Sequence, residues 1–259
     1  MNQIEPYVQR ILYITTKFGE EDPKSIIKPS GNEIVKYLCY VDIDNNKVNY
    51  DSNIIECEYC KFNEEEKKEI SDVIYNKEMT RPNVMKARFV KTQFYRLQKV
   101  KEFNPNIVIW IDANMQIIKD DFHHLIKDLL NDSVICTYPH NFLTNYIQDL
   151  DFTLEVETSG MIKRYGDEPI QQQKEFYIAE GLTEEFTNEK EYLCAGIFGI
   201  IINKQGINLL DLWWQDILKW SIHDQVSLFY ILFKHNIKNS YIRSGNIMES
   251  DYHWLWDHE

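Results

Sequence analysis

Short apolar segments alternate along the chain with longer segments whose apolar residues recur at helical spacing. The apolar segments are rich in β-branched and aromatic residues and predict strands, which cover Arg10–Thr16, Val35–Val41, Asn53–Cys57, Ile107–Ile111, Val134–Tyr138 and Leu193–Ile202. Helical spacing predicts a helix that begins at Pro82, a helix over Phe122–Leu130 with Asp121 as N-cap, and two consecutive helices within Ile207–Lys234. Strands that alternate with helices in this way predict an α/β sandwich with a largely parallel sheet.

The segment Ile107–Ile111 contains no polar side chain, which is typical of a central strand covered on both faces. Asp112 follows it directly, and Asn114 stands two residues later. Ligands of open α/β sheets bind at the carboxyl ends of strands, and an extended backbone would direct both side chains to one side. Their oxygens suit Mg²⁺ or Mn²⁺, with water and substrate phosphate oxygens as further ligands. The alternative is an Asx turn that closes the strand through local hydrogen bonds.

Four stretches of the sequence carry a resemblance to a known family. They are IVIWIDANMQI around Asp112, WWQDILKWSIHDQVSLFYIL with His223 before Asp224 and Gln225, the early stretch VKYLCYVD, and TYPHNF. Together they resemble a glycosyltransferase-like family formerly known only as a domain of unknown function, with plant members tied to mucilage and pectin synthesis and shorter microbial members. In TYPHNF the family's proline and histidine stand in the opposite order. The resemblance covers most of the chain, from about Ile11 to Lys234.

The resemblance implies a GT-A-like (Rossmann-like) α/β/α sandwich with a mixed, mostly parallel central sheet, in a single domain over residues 1–259. It implies that residues 1–117 bind the nucleotide-sugar, and that residues 118–259 bind the acceptor and carry the C-terminal tail. The implied activity is transfer of a sugar from a nucleotide-diphosphate donor, a UDP-sugar before others, to a glycan or other hydroxyl acceptor. Mn²⁺ or Mg²⁺ at Asp112 and Asn114 would offset charge on the leaving nucleotide diphosphate.

Asp224 begins a helix near the implied sugar pocket, and is expected to be a catalytic carboxylate or a contact to the donor sugar. As a catalytic group it would accept the acceptor's hydroxyl proton or stabilise an oxocarbenium-like centre. Gln225 beside it is a candidate donor contact. The alternative is a capping box, because Ser221 and Asp224 have the S-x-x-D spacing that caps a helix without any chemistry.

Strand ends supply further candidate donor contacts. Thr15 and Thr16 end the first strand and Asp42 ends the second, where a nucleotide base or ribose would lie. Gly196, near the start of a later strand, would let a sugar ring approach the backbone closely. Each of these is also an ordinary strand residue, and for the glycine the sequence favours the alternative of tight strand packing beside a helix.

Arg88 belongs to the densest basic cluster of an acidic chain, formed by Arg81, Lys86, Arg88 and Lys91. Arg88 and Lys91 share a helix face and are candidates to contact the donor pyrophosphate or an acidic acceptor. The alternative is a solvated face that balances the acidic run Glu64–Glu69, itself expected to be solvated. Of the two interpretations of the basic cluster, the sequence favours the solvated face.

The C-terminal tail, DYHWLWDHE, carries two histidines among aromatic residues. Since GT-A-type enzymes often take a late histidine as a metal ligand, the resemblance implies His258, or else His253, as a ligand beside Asp112 and Asn114. Neutral imidazole suits Mn²⁺. The alternative is an exposed tail histidine with no ligand.

The composition limits the partners. The chain carries 28 Lys and Arg against 41 Asp and Glu, a formal net charge of −13, which disfavours nucleic acid and anionic membranes because both need basic patches. Five scattered cysteines, the absence of an apolar signal segment in residues 1–10, and apolar stretches shorter than the roughly 20 residues of a membrane span predict a cytoplasmic protein. Cys57 and Cys60 are expected to be strand residues rather than a metal or redox pair.

Two other functions stay open at this point. A metal-dependent nucleotide-sugar phosphohydrolase would use Asp112 in a similar way, although it usually needs further acids for a second metal. A non-catalytic carbohydrate-binding protein would keep the fold without turnover.

Overall fold

The predicted strands assemble into one mixed sheet in the computed structural model, which describes residues 9–18, 26, 28–41, 55–76, 82–140, 147–151, 168–182, 191–243 and 253–255. Within these residues the strands are β1 (Arg10–Lys17), β2 (Ile34–Val41), β3 (Cys57–Cys60), β4 (Ile107–Ile111), β5 (Met115–Ile117), β6 (Ile135–Pro139), β7 (Leu193–Ile201), β8 (Asn239–Tyr241) and β9 (His253–Leu255). The main sheet has the order β3-β2-β1-β4-β7-β6-β8, and β5 pairs separately with β9.

Helices fill the connections between the strands. The described helices include α1 (Glu64–Asn76), α2 (Pro82–Gln93), α3 (Gln98–Phe103), α4 (Phe122–Leu130), α5 (Ile170–Ala179), α6 (Lys204–Lys219) and α7 (Asp224–Lys234). Four of them, α2, α4, α6 and α7, confirm the helices that the sequence predicts. Asp121 stands at the N-cap position of α4, although its side chain makes no capping hydrogen bond. In the described part of the chain, none of these helices combines the length and apolarity that crossing a bilayer requires.

Both faces of the sheet are covered, because successive strand residues point to opposite sides. On one face Ile14 and Trp110 belong to a core that α2, α6 and α7 complete with Phe89, Trp213 and Val226. The other core lies beneath α4. There Phe122 and Ile126 of α4 pack against the alternate strand residues, among them Tyr13 and Ile109. The two cores confirm the predicted α/β/α sandwich.

Strand direction decides which chain segments meet at one edge of the sheet. The neighbours β1–β2, β1–β4, β2–β3 and β6–β8 are parallel, whereas β7 is antiparallel to both β4 and β6. The sheet is therefore mixed and mostly parallel, as expected. Because β7 runs against β4, its first residues lie where β1, β2 and β4 end. There the Asp112 amide donates to the Gly196 carbonyl oxygen at 2.9 Å.

The prediction for the third strand was wrong in its position. The strand is Cys57–Cys60 and pairs with β2, with Tyr37 opposite Cys57. Ile55 belongs to the predicted strand Asn53–Cys57, but it lies before the observed strand and donates its N–H to the carbonyl oxygen of Ile26. Cys57 and Cys60 are free buried thiols, and burial raises the pKa of Cys60 to about 12. Both cysteines are thus strand residues, as expected.

The acidic run Glu64–Glu69 is not solvated throughout. Glu66 is buried and forms a capping box with Asn63, because the Asn63 amide donates to Glu66 Oε2 and the Glu66 amide donates to Asn63 Oδ1, each at 2.8 Å. Its other oxygen, Oε1, accepts from the Gln98 amide at 2.8 Å. One glutamate of the run therefore fastens α1 to the start of α3.

Candidate active site

Asp112 lies directly after the central strand β4, with a side chain that is 37% exposed. The Trp110 indole N–H donates to its Oδ1 at 2.7 Å, and the Met115 amide donates to its carbonyl oxygen at 2.9 Å. The second bond closes a tight turn through Asn114, so part of the turn alternative is correct. The turn uses the main chain of Asp112 and leaves its carboxylate at the sheet edge. Asn114 lies within this turn and is half-buried.

Asp224 is the first residue of α7 and its carboxylate is buried. Arg88 Nη2 lies 2.9 Å from Oδ1, and Lys91 Nζ lies 2.6 Å from Oδ2. Burial raises the pKa of this carboxyl, but the two cations outweigh burial, so its pKa lies below the ordinary value. The Trp213 indole N–H fixes the main chain by donating to the Asp224 carbonyl oxygen at 2.8 Å.

The capping-box interpretation of Ser221 and Asp224 was wrong. The N-cap residue of α7 is His223, and the Ser221 hydroxyl donates to Gln173 Oε1 at 2.6 Å. The Asp224 amide donates to the Ile222 carbonyl oxygen, while its carboxylate points to α2. The aspartate is therefore not explained by helix capping.

The interpretation of the basic cluster as a solvated face was also wrong for the two residues nearest the sheet. Lys91 is 1% exposed, and its ammonium lies 2.6 Å from Asp224 and 3.6 Å from Asp112 Oδ1. Its Nζ also lies 5.4 Å from the ring centroid of Trp110. Arg88 Nε donates to the Ile222 carbonyl oxygen at 3.1 Å. The helix α2 thus places Lys91 between the carboxylates of Asp112 and Asp224, and Arg88 beside Asp224.

A second polar network adjoins this group, and its centre, Asp149, has no signal in the sequence. Its carboxylate lies 2.9 Å from His223 Nε2 and accepts from Gln225 Nε2 at 3.0 Å and from the Tyr192 hydroxyl at 2.7 Å. Burial raises the pKa of Asp149, but His223 and the three hydrogen bonds lower it to about 2. The Ala195 amide donates to Gln225 Oε1 at 3.3 Å. Gln225 therefore connects this network to β7.

Gly196 packs closely against Met115 at the sheet edge. A Cβ atom there would lie 2.6 Å from Met115 Cε and 3.4 Å from Asp112 Oδ2. The missing side chain thus makes room for Met115 beside the Asp112 carboxylate, so tight packing explains the glycine.

Thr15 and Thr16 lie at the carboxyl end of β1, beside β4. Ile14 of β1 pairs with Trp110 of β4 in parallel register. Thr16 is two residues after Ile14 and Asp112 is two residues after Trp110, so both lie at the same edge of the sheet. Thr15 is fully buried, and its hydroxyl oxygen has no hydrogen-bond partner among the described residues. Asp42 lies outside the described residues.

The tail returns to the site through its backbone. In the strand β9, Leu255 pairs with Met115 and His253 with Ile117, in antiparallel register. Leu255 therefore lies beside Met115, three residues after Asp112. His258 lies outside the described residues.

The structure thus brings Asp112, Asp224, Arg88 and Gly196 to one edge of the sheet and adds Lys91, which the sequence placed on a solvated face. The two cations and two carboxylates of this group have no formal net charge. Such a site suits an anionic ligand once a cation joins it, and its ion pairs hold the carboxylates in place before a ligand arrives.

Comparison with known proteins gives a family match over this region. The family model described as TOD1/MUCI70, glycosyltransferase-like domain, matches residues 70–244, which include Asp112, Asp149 and Asp224. Among solved structures, the chain is similar to the apo form of mouse xyloside xylosyltransferase 1, with a TM-score of 0.46 and 10% sequence identity over 90% of this chain and 84% of that chain. No curated protein gives a significant match.

Proposed function

The chain belongs to the TOD1/MUCI70 glycosyltransferase-like family, and we propose that it transfers a sugar from a nucleotide-diphosphate donor, a UDP-sugar, to a hydroxyl group of a glycan or glycoconjugate. The observation that carries the proposal is the meeting of Asp112 and Asp224 at Lys91, 3.6 Å and 2.6 Å from its ammonium. This meeting point lies at the carboxyl ends of β1, β2 and β4, where α/β sheets bind their ligands.

In this proposal the donor lies along that edge. Thr15 and Thr16, which lie within β1 near its carboxyl end, and Asp42, the residue after β2, contact the nucleotide. The sugar lies beside Gly196 and Met115, next to the Asp112 carboxylate.

The donor set at Asp112 suits a divalent cation. Its described contacts use Oδ1, and the side chain is 37% exposed, so Oδ2 is available to a ligand. We infer that Asp112, Asn114 and His258 hold Mn²⁺ or Mg²⁺. The pairing of Leu255 with Met115 supports this arrangement. His258 is three residues after Leu255 in the sequence, and Asp112 is three residues before Met115. Oxygen and imidazole ligands suit Mn²⁺. When bound, the cation offsets charge on the leaving nucleotide diphosphate.

Asp224 is assigned an electrostatic role. Two cations hold its pKa below the ordinary value, which makes it a weak general base, since the most effective base has a pKa near the working pH. A fixed, ionised carboxylate instead stabilises the positive charge that develops at the anomeric carbon. Arg88 and Lys91 keep the Asp224 carboxylate ionised and oriented. Gln225 accepts a hydrogen bond from the Ala195 amide of β7, and so holds the start of that strand beside the sugar.

The test combines binding and turnover in three variants. A thermal-shift screen of nucleotide-sugars with and without Mn²⁺ identifies the donor, and nucleotide release with and without glycan acceptors measures transfer. We expect Asp112→Asn to lose the Mn²⁺-dependent donor shift, and Asp224→Asn to keep donor binding but lose about 100-fold or more in turnover. Asp72→Asn, an exposed aspartate on α1, is the matched control and should behave as wild type.

Other outcomes separate the alternatives. Wild-type turnover in Asp112→Asn and Asp224→Asn would refute the assignment of this site. Nucleotide release that no acceptor stimulates would indicate a phosphohydrolase. The described residues argue against that alternative. Among them, one group of three or more potential metal ligands lies close enough together to hold an ion, and it does not include Asp112. These residues therefore offer no cluster for a pair of metals at Asp112. Donor binding without turnover would indicate a carbohydrate-binding protein.

A further inference from the structure

A cluster of three potential metal ligands lies away from the candidate active site. Glu33 precedes β2, and His123 and His124 stand in the first turn of α4. One ligand atom from each of the three lies within 4.8 Å of the others. Glu33 Oε2 is 3.7 Å from His123 Nε2, and Glu33 Oε1 is 3.7 Å from His124 Nδ1.

The cluster is separate from Asp112 in the fold. Ile34, next to Glu33, pairs with Arg10 at the start of β1, whereas Trp110 pairs with Ile14 near its end. At about 3.3 Å per residue, the backbone at Glu33 and the backbone at Asp112 differ in level by roughly 20 Å along the strands. The two groups therefore lie toward opposite edges of the sheet.

The most informative member of the cluster is His123. Its side chain is fully buried, and neither ring nitrogen has a hydrogen-bond partner among the described residues. The nearby Glu33 Oε2 is likewise buried without a hydrogen-bond partner in that part of the chain. Burying polar atoms without hydrogen-bond partners costs free energy. Here His123 Nε2 and Glu33 Oε2 face each other at 3.7 Å, which is too long for a hydrogen bond.

The backbone around the cluster leaves no room for substitution. Gly31 has φ = +106°, a conformation that glycine tolerates and other residues rarely adopt. A Cβ atom there would lie 3.1 Å from two atoms of the His124 ring and closer still to Glu33 Oε2. The Ser30 amide donates to the Asp120 carbonyl oxygen at 2.9 Å, which ties this segment to the start of α4.

We propose that Glu33, His123 and His124 bind one Zn²⁺ ion, which fastens the segment before β2 to α4. Two imidazoles and a carboxylate, with water as the fourth ligand, form a known ligand set for Zn²⁺. Ligands about 2.0–2.2 Å from a tetrahedral ion lie roughly 3.3–3.6 Å apart, close to the 3.7 Å between His123 Nε2 and Glu33 Oε2. The ion would supply the missing partners of His123 Nε2 and Glu33 Oε2, and His124, with a side chain that is 39% exposed, opens the site to solvent.

One neighbouring cation opposes metal binding. Lys127 Nζ lies 3.2 Å from Glu33 Oε1, so that oxygen is already engaged. Oε2 is the oxygen that faces His123, and we assign it as the ligand. Neutralising the lysine should therefore strengthen binding, because it removes a positive charge next to the ion.

The test measures Zn²⁺ binding to chelator-treated protein by calorimetry, and Co²⁺ binding by the visible absorption of a tetrahedral site. We expect one Zn²⁺ to bind independently of Asp112, and the affinity of this site to fall about 100-fold in His124→Ala and in Glu33→Gln, since losing even an outer-shell partner costs up to this much. Lys127→Met should bind at least as tightly as wild type. The exposed His235→Ala is the matched control for adventitious binding.

Activity is not the readout, so the result is independent of the proposed transferase. Asp112→Asn should retain the Zn²⁺ affinity of wild type. If wild type binds no Zn²⁺, if His124→Ala and Glu33→Gln bind as wild type does, or if His235→Ala loses as much affinity as His124→Ala, the proposal is overturned. Should His124→Ala fail to fold, His124→Gln tests the same ligand with a side chain of similar size.

Discussion

Lys91 Nζ lies 2.6 Å from Asp224 Oδ2, and both side chains are almost completely buried, at 1% and 8% exposure. An ion removed from water loses several kcal/mol of hydration, so an ammonium at this depth needs opposite charge close by. Asp224 supplies that charge, and Asp112 Oδ1 adds to it at 3.6 Å. The contact therefore joins α2 to the first turn of α7 and fixes a carboxylate at the edge of the sheet.

The first prediction concerns this ion pair. Lys91→Met keeps the length of the side chain but leaves Asp224 with Arg88 as its remaining described cation. We expect the free energy of unfolding to fall by about 3 kcal/mol, the lower end of the cost of breaking a buried pair. Urea denaturation measures the change.

The matched control for that prediction is Lys99→Met. Lys99 pairs with Glu58 at 3.0 Å, but both side chains are about half exposed, and such surface pairs contribute at most about 1 kcal/mol. Equal losses in the two variants would show that Lys91 is not part of a buried ion pair.

The second prediction contrasts two glycines. A Cβ atom on Gly206 would lie 1.9 Å from the Ile201 carbonyl oxygen, which is backbone and cannot move aside. We expect Gly206→Ala to lose about 3 kcal/mol of stability, the upper end for overpacking. Gly196→Ala meets the flexible end of Met115 instead, so its loss should be about 1 kcal/mol or less.

Ligand binding should rank these two variants in the reverse order. The new methyl group of Gly196→Ala would lie 3.4 Å from Asp112 Oδ2, so donor affinity should fall although the protein stays folded. Donor titration by calorimetry at a temperature where both variants are folded checks this. Unchanged donor affinity in Gly196→Ala would remove Gly196 from the proposed sugar site.

The third prediction separates two adjacent glutamates. Both carboxylate oxygens of Glu66 accept backbone hydrogen bonds, one from the Asn63 amide and one from the Gln98 amide. Glu66→Gln replaces one of these oxygens with an NH₂ group, so that two hydrogen-bond donors face each other there. A loss of about 2 kcal/mol follows, as expected for a hydrogen bond to a charged group. Glu65→Gln, one residue earlier and exposed, should stay within about 0.5 kcal/mol of wild type. Thermal and urea unfolding of the pair would reveal any deviation, and equal stabilities would argue against the capping box.

The fourth prediction is a loss of stability in acid that depends on Asp149. Its pKa lies at about 2 instead of 3.8, so the carboxylate stabilises the folded state above pH 4, and this contribution disappears as the pH falls through 2. At roughly 1.4 kcal/mol per pKa unit, the contribution is about 2 kcal/mol.

Unfolding free energies at pH 6 and pH 2 measure that contribution. Wild type should lose about 2 kcal/mol more than Asp149→Asn between the two values, because the amide does not titrate. Parallel losses in the two proteins would mean that His223, Gln225 and Tyr192 do not hold Asp149 ionised.

Local patterns were sufficient where one residue's environment follows from its near neighbours. The uninterrupted apolar run of β4 marked a central strand, and Asp112 could be placed at its end for that reason. The same reasoning missed the start of β3, because apolar character does not reveal that Ile55 pairs with Ile26 instead of joining the sheet. Asp149 was missed altogether, since its partners His223, Gln225 and Tyr192 are distant in sequence.

By itself, the sequence determined the α/β class, most strands and helices, and the carboxylate after the central strand, because alternation and helical spacing are local consequences of backbone geometry. Only the tertiary structure decided that Arg88 and Lys91 are buried against Asp224, that Asp224 is not a helix cap, and that His123 faces Glu33. These facts depend on which helix packs over which strand end, and charge pairing across such contacts leaves no periodic trace along the chain.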